Sequence, residues 1–186
     1  MSTDHYMQEN FPLPSGGILG KETLITMIDC SRPLVENFRD LKIQLQPNGF
    51  DMTLQTVSKF VSMGKLGSDK VTTTISDIEE MPFNNAGEIH LTKGCYLLTI
   101  NEIVDLPLNV MALARPRSSL LRSGVSVHTA VWDAGYRGRS QTLLTVYNPL
   151  GYSIAKNARI LQMIFCYLSL PTKEGYSGRY QGENIK

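Results

Sequence analysis

Short apolar and β-branched runs, each cut off by a turn signal, fill most of this chain and limit what it can fold into. Phe50-Asp51-Met52-Thr53-Leu54 alternates apolar and polar side chains. Val125 to Val131, Thr142 to Tyr147 and Arg159 to Leu168 are further runs of the kind that half-buried strands use. Pro47-Asn48-Gly49, Thr92-Lys93-Gly94, Pro107, Asn148-Pro149 and Lys156-Asn157 punctuate them. Strands are also expected over 41–45, 70–78, 88–91, 95–103 and 110–114; residues 59–66 fit strand or turn, and 81–87 a loop. About ten short strands at this spacing predict an antiparallel, all-β jelly-roll-like barrel or sandwich, not a parallel α/β sheet. Helix is expected over 17–30, where Ile18, Leu19, Leu24, Ile25 and Ile28 fall near helical spacing, and as one turn over 118–122.

The 186 residues fit a single domain, 1–186, with a polar N-terminal extension (1–16) and a flexible C-terminal arm (172–186). A formal net charge of +1 gives no footprint for duplex nucleic acid, so any polyanion bound is small and held locally. Cys30, Cys95 and Cys166 are odd in number and form no CxxC pair, which argues against a disulfide framework and a zinc site. Cys95 and Cys166 stand in apolar runs and read as buried small hydrophobes. No apolar run reaches the ~18 residues a membrane span needs, and the N-terminus has no signal-peptide core. The expectation is a soluble, cytoplasmic protein without a membrane or nucleic-acid partner.

Chemistry-bearing residues concentrate between Ala114 and Gly138. In Pro116-Arg117-Ser118-Ser119, a guanidinium and two hydroxyls stand where a short helix begins, a combination suited to phosphate oxygens. The alternative is a plain serine N-cap beside a surface arginine. In Asp133-Ala134-Gly135-Tyr136-Arg137-Gly138, Asp133 leaves an apolar strand and could act as a general base. Gly135 permits close backbone approach, and Tyr136 could lie against a sugar or base. A β-turn with a capping Asp explains the same residues without function. His128 reads more readily as a packed strand histidine than as an acid or base. Asp51 could orient an arginine or hold a turn. Gln162 breaks an apolar strand and requires a partner. The tail Gly175-Tyr176-Ser177-Gly178-Arg179-Tyr180-Gln181-Gly182 is a free terminus or a lid. No cluster of metal ligands is visible.

Taken in order, these segments resemble the dUTPase and dCTP deaminase superfamily. The resemblance covers residues 17–28 as the N-terminal helix, Gln46 to Leu54 (QPNGFDMTL), Glu102 to Pro107, Arg117-Ser118-Ser119-Leu120, Asp133 to Gly138 (DAGYRG), Arg159 to Ile164 (RILQMI), and the tail from Tyr176 to Gly182. It implies a trimeric dUTPase-like β-fold acting on deoxynucleoside triphosphates. Deaminases of the superfamily carry a glutamate on the strand after the third motif. Here that stretch, Arg139 to Asn148, contains no Asp or Glu. The resemblance therefore implies a dUTP pyrophosphatase on a deaminase-like scaffold, giving dUMP and pyrophosphate. Asp133 would activate water, while Arg117, Ser118, Ser119 and Gln162 bind phosphate. Arg179 would close over the γ-phosphate, Gly135 and Tyr136 would adjoin the deoxyribose, and His128, Thr129 and Ala130 would read uracil. Tyr176, Tyr180 and Gly182 belong to the arm. Mg²⁺ would be held mainly by the substrate's phosphates, with no protein ligands, and three subunits would share the sites. The alternatives are a dCTP deaminase, alone or bifunctional, a non-catalytic nucleotide-binding relative, and a trimeric structural protein.

Overall fold

A computed structural model describes residues 16–185. They form an all-β, mostly antiparallel fold around a curled nine-stranded sheet. The elements are β1 (Gly17–Ile18), α1 (Lys21–Ile28), β2 (Val35–Glu36), α2 (Leu41–Gln44), β3 (Leu45–Gln46), β4 (Gly49–Phe60), β5 (Ile78–Met81), β6 (Glu88–Leu91), β7 (Gly94–Ile100), β8 (Ile103–Asp105), β9 (Val110–Pro116), α3 (Ser118–Arg122), β10 (Val125–His128), β11 (Arg137–Gly138), β12 (Gln141–Val146), β13 (Tyr152–Ala155) and β14 (Arg159–Tyr167).

The main path runs β1-β14-β4-β7-β12-β10, with β9 beside β14 and β3 and β5 beside β4. A three-stranded sheet, β11-β8-β2, and the pair β13-β6 complete the fold. Strand β4 spans both halves: its first residues pair with β14 and its last with β7 and β5. Alternation sends Phe50, Met52, Leu54, Leu98, Ile100, Leu144, Met163 and Phe165 into one fully buried core. Each such side chain contributes about 1.5–3 kcal/mol by leaving water.

Four local expectations are corrected. Residues 41–44 are a helical turn, not a strand, because the Asp40 carboxylate accepts from the N–H groups of Lys42 and Ile43 (2.9 and 3.2 Å). Strand begins only at Ile78, since Thr72 and Thr73 spend their hydroxyls on a turn around Asp69. The first helix starts at Lys21, as Gly17 and Ile18 pair with β14 instead. Cys95 is exposed, on the outward face of β7. Strand β13 had no counterpart among the expected elements. The N-terminal extension lies outside the described residues, apart from Gly16.

Candidate functional site

Three adjacent strands build a cationic corner. Arg117 directly follows β9 and is the N-cap of α3, where its side chain makes no cap bond. Gln162 on β14 stands opposite Arg115 of β9 and opposite Asp51 of β4. The Arg117 guanidinium reaches past β14 to pair with Asp51, and Arg159 Nη1 meets the same carboxylate at 3.1 Å. Asp51 is 1% exposed, so one buried anion anchors two cations that are about one-third exposed. Burial, with the neighbouring Arg159 charge, lowers the Arg117 guanidinium below its ordinary value. The expected link from Asp51 to an arginine is thus present. Arg159 was missed, although it opens the RILQMI motif.

Ser118 and Ser119 are exposed and their hydroxyls make no hydrogen bond among the described residues, so the reading as a serine N-cap fails. The Gln162 amide is likewise without a partner there, and its side chain lies beside Gly49. Beneath this corner, Glu102 is fully buried. Its carboxylate accepts from Thr53 N (2.9 Å), Thr53 Oγ1 (2.6 Å) and Gln44 Nε2 (2.7 Å), and Gln44 Nε2 also donates to the Asp51 carbonyl. Burial without a cation raises the Glu102 carboxyl above its usual range.

The second cluster sits on the other edge of β9. Trp132 bridges Ala112, with reciprocal backbone bonds of 2.9 and 3.1 Å, and Asp133 follows it. The Asp133 side chain is exposed and makes no ion pair or hydrogen bond among the described residues. Gly135 has φ +83°, and a Cβ there would fall 2.5 Å from the Gly175 Cα. At Gly138 a Cβ would strike the Tyr136 hydroxyl at 2.3 Å. Tyr136 is buried, edge-on to Tyr176 with centroids 5.8 Å apart. Its hydroxyl contacts Ser140 Oγ and Glu183 Oε1, each at 2.9 Å. Burial pushes the Tyr136 phenol well above its normal value and also raises the Glu183 carboxyl.

The closing segment, read in sequence as having little to bury, lies along residues 134–139. Tyr176 N donates to Ala134 O (2.8 Å), Gly182 N to Arg137 O (2.8 Å) and Arg139 N to Glu183 O (2.9 Å). Gln181 bonds Gly135 O and Arg137 N, both at 2.9 Å. Tyr180 is exposed. Arg179 is away from the cationic corner and donates to Lys70 O at 3.2 Å. His128, at the exposed end of β10, meets the Tyr147 hydroxyl at 3.4 Å, with Thr129 and Ala130 following. The sequence candidates therefore form two groups, the cationic corner and the Asp133 turn, with His128 at the end of β10 and Thr129 and Ala130 just past it.

The two groups are set apart by β9. Five residues separate Ala112, beside Trp132, from Arg117, about 17 Å at strand rise. Arg117 turns across β14, whereas Asp133 flanks the opposite edge. Among the described residues, no three His, Cys, Asp or Glu side chains converge as a metal-binding group. Elsewhere Arg139 donates to Asn101 O, and the buried Asp105 carboxylate pairs with the partly exposed Arg32 and Arg137, the latter also meeting Glu36, which ties the surrounding loops together.

Comparison with known proteins places this architecture. The model of the dCTP deaminase-like family matches residues 18–168. The chain belongs to the dCTP deaminase-like family. A family relative from Methanosarcina mazei, named a probable deoxyuridine 5'-triphosphate nucleotidohydrolase, is 45% identical over 167 residues, covering 90% of this chain and 98% of the relative. One of the same name from Archaeoglobus fulgidus is 46% identical over 152 residues, covering 82% and 89%. The crystal structure of the Agrobacterium tumefaciens 2'-deoxycytidine 5'-triphosphate deaminase superposes with a TM-score of 0.66 at 20% identity. That match covers 83% of this chain and spans 49% of that one, and it bears on the shared dCTP deaminase-like fold alone.

Proposed function

We propose that this chain is a dUTP pyrophosphatase, hydrolysing dUTP to dUMP and pyrophosphate. The observation that carries the reading is a contrast between two neighbouring segments. Asp133 presents an exposed carboxylate with no partner among the described residues, whereas β12, just beyond the same motif, has no carboxylate on either face. Its inward residues are Thr142, Leu144 and Val146. A deaminase needs a group there that moves protons at the cytosine ring; a threonine hydroxyl and two aliphatic side chains do not. The names of the archaeal relatives agree with this reading.

In the proposed reaction, water attacks the α-phosphorus, the bond to the bridging oxygen breaks, and pyrophosphate leaves with that bond's electron pair. Asp133 takes the water's proton, which requires contact within about 3 Å of that water. Arg117, Ser118, Ser119 and Gln162 hold phosphate oxygens and neutralise charge developing on them. Tyr136 forms the wall against the deoxyribose, with Gly135 allowing close approach, and the segment His128 to Ala130 reads the base. Arg179 leaves Lys70 to close over the γ-phosphate. The donor set, one carboxylate with no second ligand beside it among the described residues, suits a Mg²⁺ that arrives on the triphosphate, where it would neutralise phosphate charge.

The separation of Arg117 from Asp133 along β9 supports sites shared between copies in a homotrimer. The three free cysteines suit a reducing, cytoplasmic location. Incubation with dUTP, dCTP and dTTP in the presence of Mg²⁺, followed by product analysis, tests the reading. dUMP and pyrophosphate from dUTP alone are expected. Ammonia and dUTP released from dCTP would instead establish the deaminase reading, which the family match and the deaminase-like fold keep as the second candidate.

A further inference from the structure

Four polar side chains link the closing segment, 176–183, which lies as a strap along residues 134–139, to the turn that carries Asp133. Trp132 Nε1 donates to Ser140 Oγ at 2.6 Å, Ser140 Oγ contacts the Tyr136 hydroxyl at 2.9 Å, and that hydroxyl reaches Glu183 Oε1 at 2.9 Å. An indole N–H can only donate, so Ser140 accepts there. The Glu183 carboxylate can only accept, so it takes the phenol proton, and the Tyr136 oxygen in turn accepts from Ser140. The order is set by the two ends together, and bonds in such a chain strengthen one another.

The two aromatic members bracket Asp133. Trp132 precedes it directly, and the Tyr136 N–H closes the turn on the Asp133 carbonyl at 3.1 Å. Trp132 and Tyr136 are 6% and 5% exposed, so the turn is held from within while the Asp133 side chain faces outward. The strap brings Glu183 to this interior end through its own backbone bonds to Arg137 and Arg139. The charged and titratable neighbours do not compete for Glu183. Arg139 sends Nη1 to Asn101 O and Nε to Asn184 O, Tyr176 packs on the Tyr136 ring, and Tyr180 bonds Glu183 only through its carbonyl.

We propose that Glu183 is a positioning residue for Asp133: through Tyr136 and Ser140 it fixes the turn from Trp132 to Tyr136, so that seating of the strap and presentation of the base are one event. This rests on the reading of Asp133 as the base. It assigns the strap a part in catalysis separate from any contact its middle makes with the substrate.

Trp132 is the only tryptophan in the chain, so its emission reports the relay independently of turnover. The test compares the full-length protein with Glu183→Ala, Glu183→Gln and Tyr136→Phe. In Glu183→Ala, Trp132 emission shifts to the red and kcat for dUTP falls by about tenfold or more, exceeding any rise in KM. Glu183→Gln, whose amide oxygen still accepts from Tyr136, restores both. Tyr136→Phe reproduces the emission shift, and the double variant with Glu183→Ala shifts no further. Wild-type emission in Glu183→Ala, or a higher KM at unchanged kcat, would mean that Glu183 merely fastens the strap, and would overturn the proposal. If the wild type fails to turn over dUTP, the dUTP reading falls. A red shift in Glu183→Ala that Glu183→Gln reverses still supports the coupling in that case, and its absence overturns it.

Discussion

Arg117 at the end of β9 reaches past β14 to ion-pair with Asp51 on β4, a carboxylate that is 1% exposed. The pair joins strands distant in sequence and aims a guanidinium at the corner where the side chains of Ser118, Ser119 and Gln162 have no hydrogen-bond partner among the described residues. Asp51→Asn leaves two arginines facing each other without an anion. The full cost of breaking a buried pair is reduced here because both arginines are about one-third open to solvent. A loss of about 2 kcal/mol is expected in denaturant or thermal melts. In kinetics, KM for dUTP should rise more than kcat falls.

Asp133 has no side chain to replace it at the turn. Asp133→Asn should reduce kcat at least about a hundredfold, the span of general-base catalysis. Affinity for a dUTP analogue with a non-hydrolysable α,β-bridge should stay close to wild type by calorimetry. Normal turnover by this variant would remove Asp133 from the chemistry.

The placement of Arg117 and Asp133 at opposite edges of β9 makes a complementation experiment decisive. Arg117→Ala and Asp133→Asn should each be inactive. When the two are unfolded together and refolded as mixed trimers, about a quarter of the sites receive both intact residues under random assembly. Activity should return to that level. No recovery above the separate variants would place both groups in one protomer's pocket.

Burial raises the Glu183 carboxyl above its ordinary value. A carboxyl raised on folding favours its neutral form there. Its contribution to strap docking is complete below the unfolded value, about 4.3, and is lost as pH rises through the raised folded value. Protection of the Gly182 and Arg139 amides in hydrogen exchange should therefore weaken from mildly acidic toward neutral pH. Glu183→Gln, neutral throughout, should flatten that profile and protect both amides more strongly than wild type at neutral pH.

Thr142 Oγ1 is buried without a hydrogen-bond partner among the described residues. Thr142→Val keeps the shape and removes an unsatisfied hydroxyl, so a gain of about 1 kcal/mol is expected in thermal melts. A loss of stability would show that the hydroxyl has a partner in the assembled protein.

What the sequence revealed depended on the range of the interaction. The single turn over Ser118–Arg122, the turn at Asn48-Gly49 and the strand from Phe50 are governed by neighbouring residues and were readable. Residues 41–44 misled because the Asp40 cap outweighs an alternating pattern. The threonines at 72–74 favoured strand by propensity, but Asp69 drew two of them into a turn. The segments holding Arg117, Asp133 and Gln162 were legible as a series of motifs. Arg159 and Glu183 were not, since their meaning depends on Asp51 and Tyr136, 108 and 47 positions away.

Gly135 and Gly175 meet backbone to backbone, and a Cβ on Gly135 would fall 2.5 Å from the Gly175 Cα. No side chain of either residue enters this seam. The strap's attachment along residues 134–139 is thereby independent of the side chains of Ser177 and Tyr180, which lie between its anchors at Tyr176 and at Gln181 to Glu183. Those two positions form an interchangeable pair: ligand preference can be redesigned there by library selection, while Arg179, the glycines and Glu183 keep the lid in register.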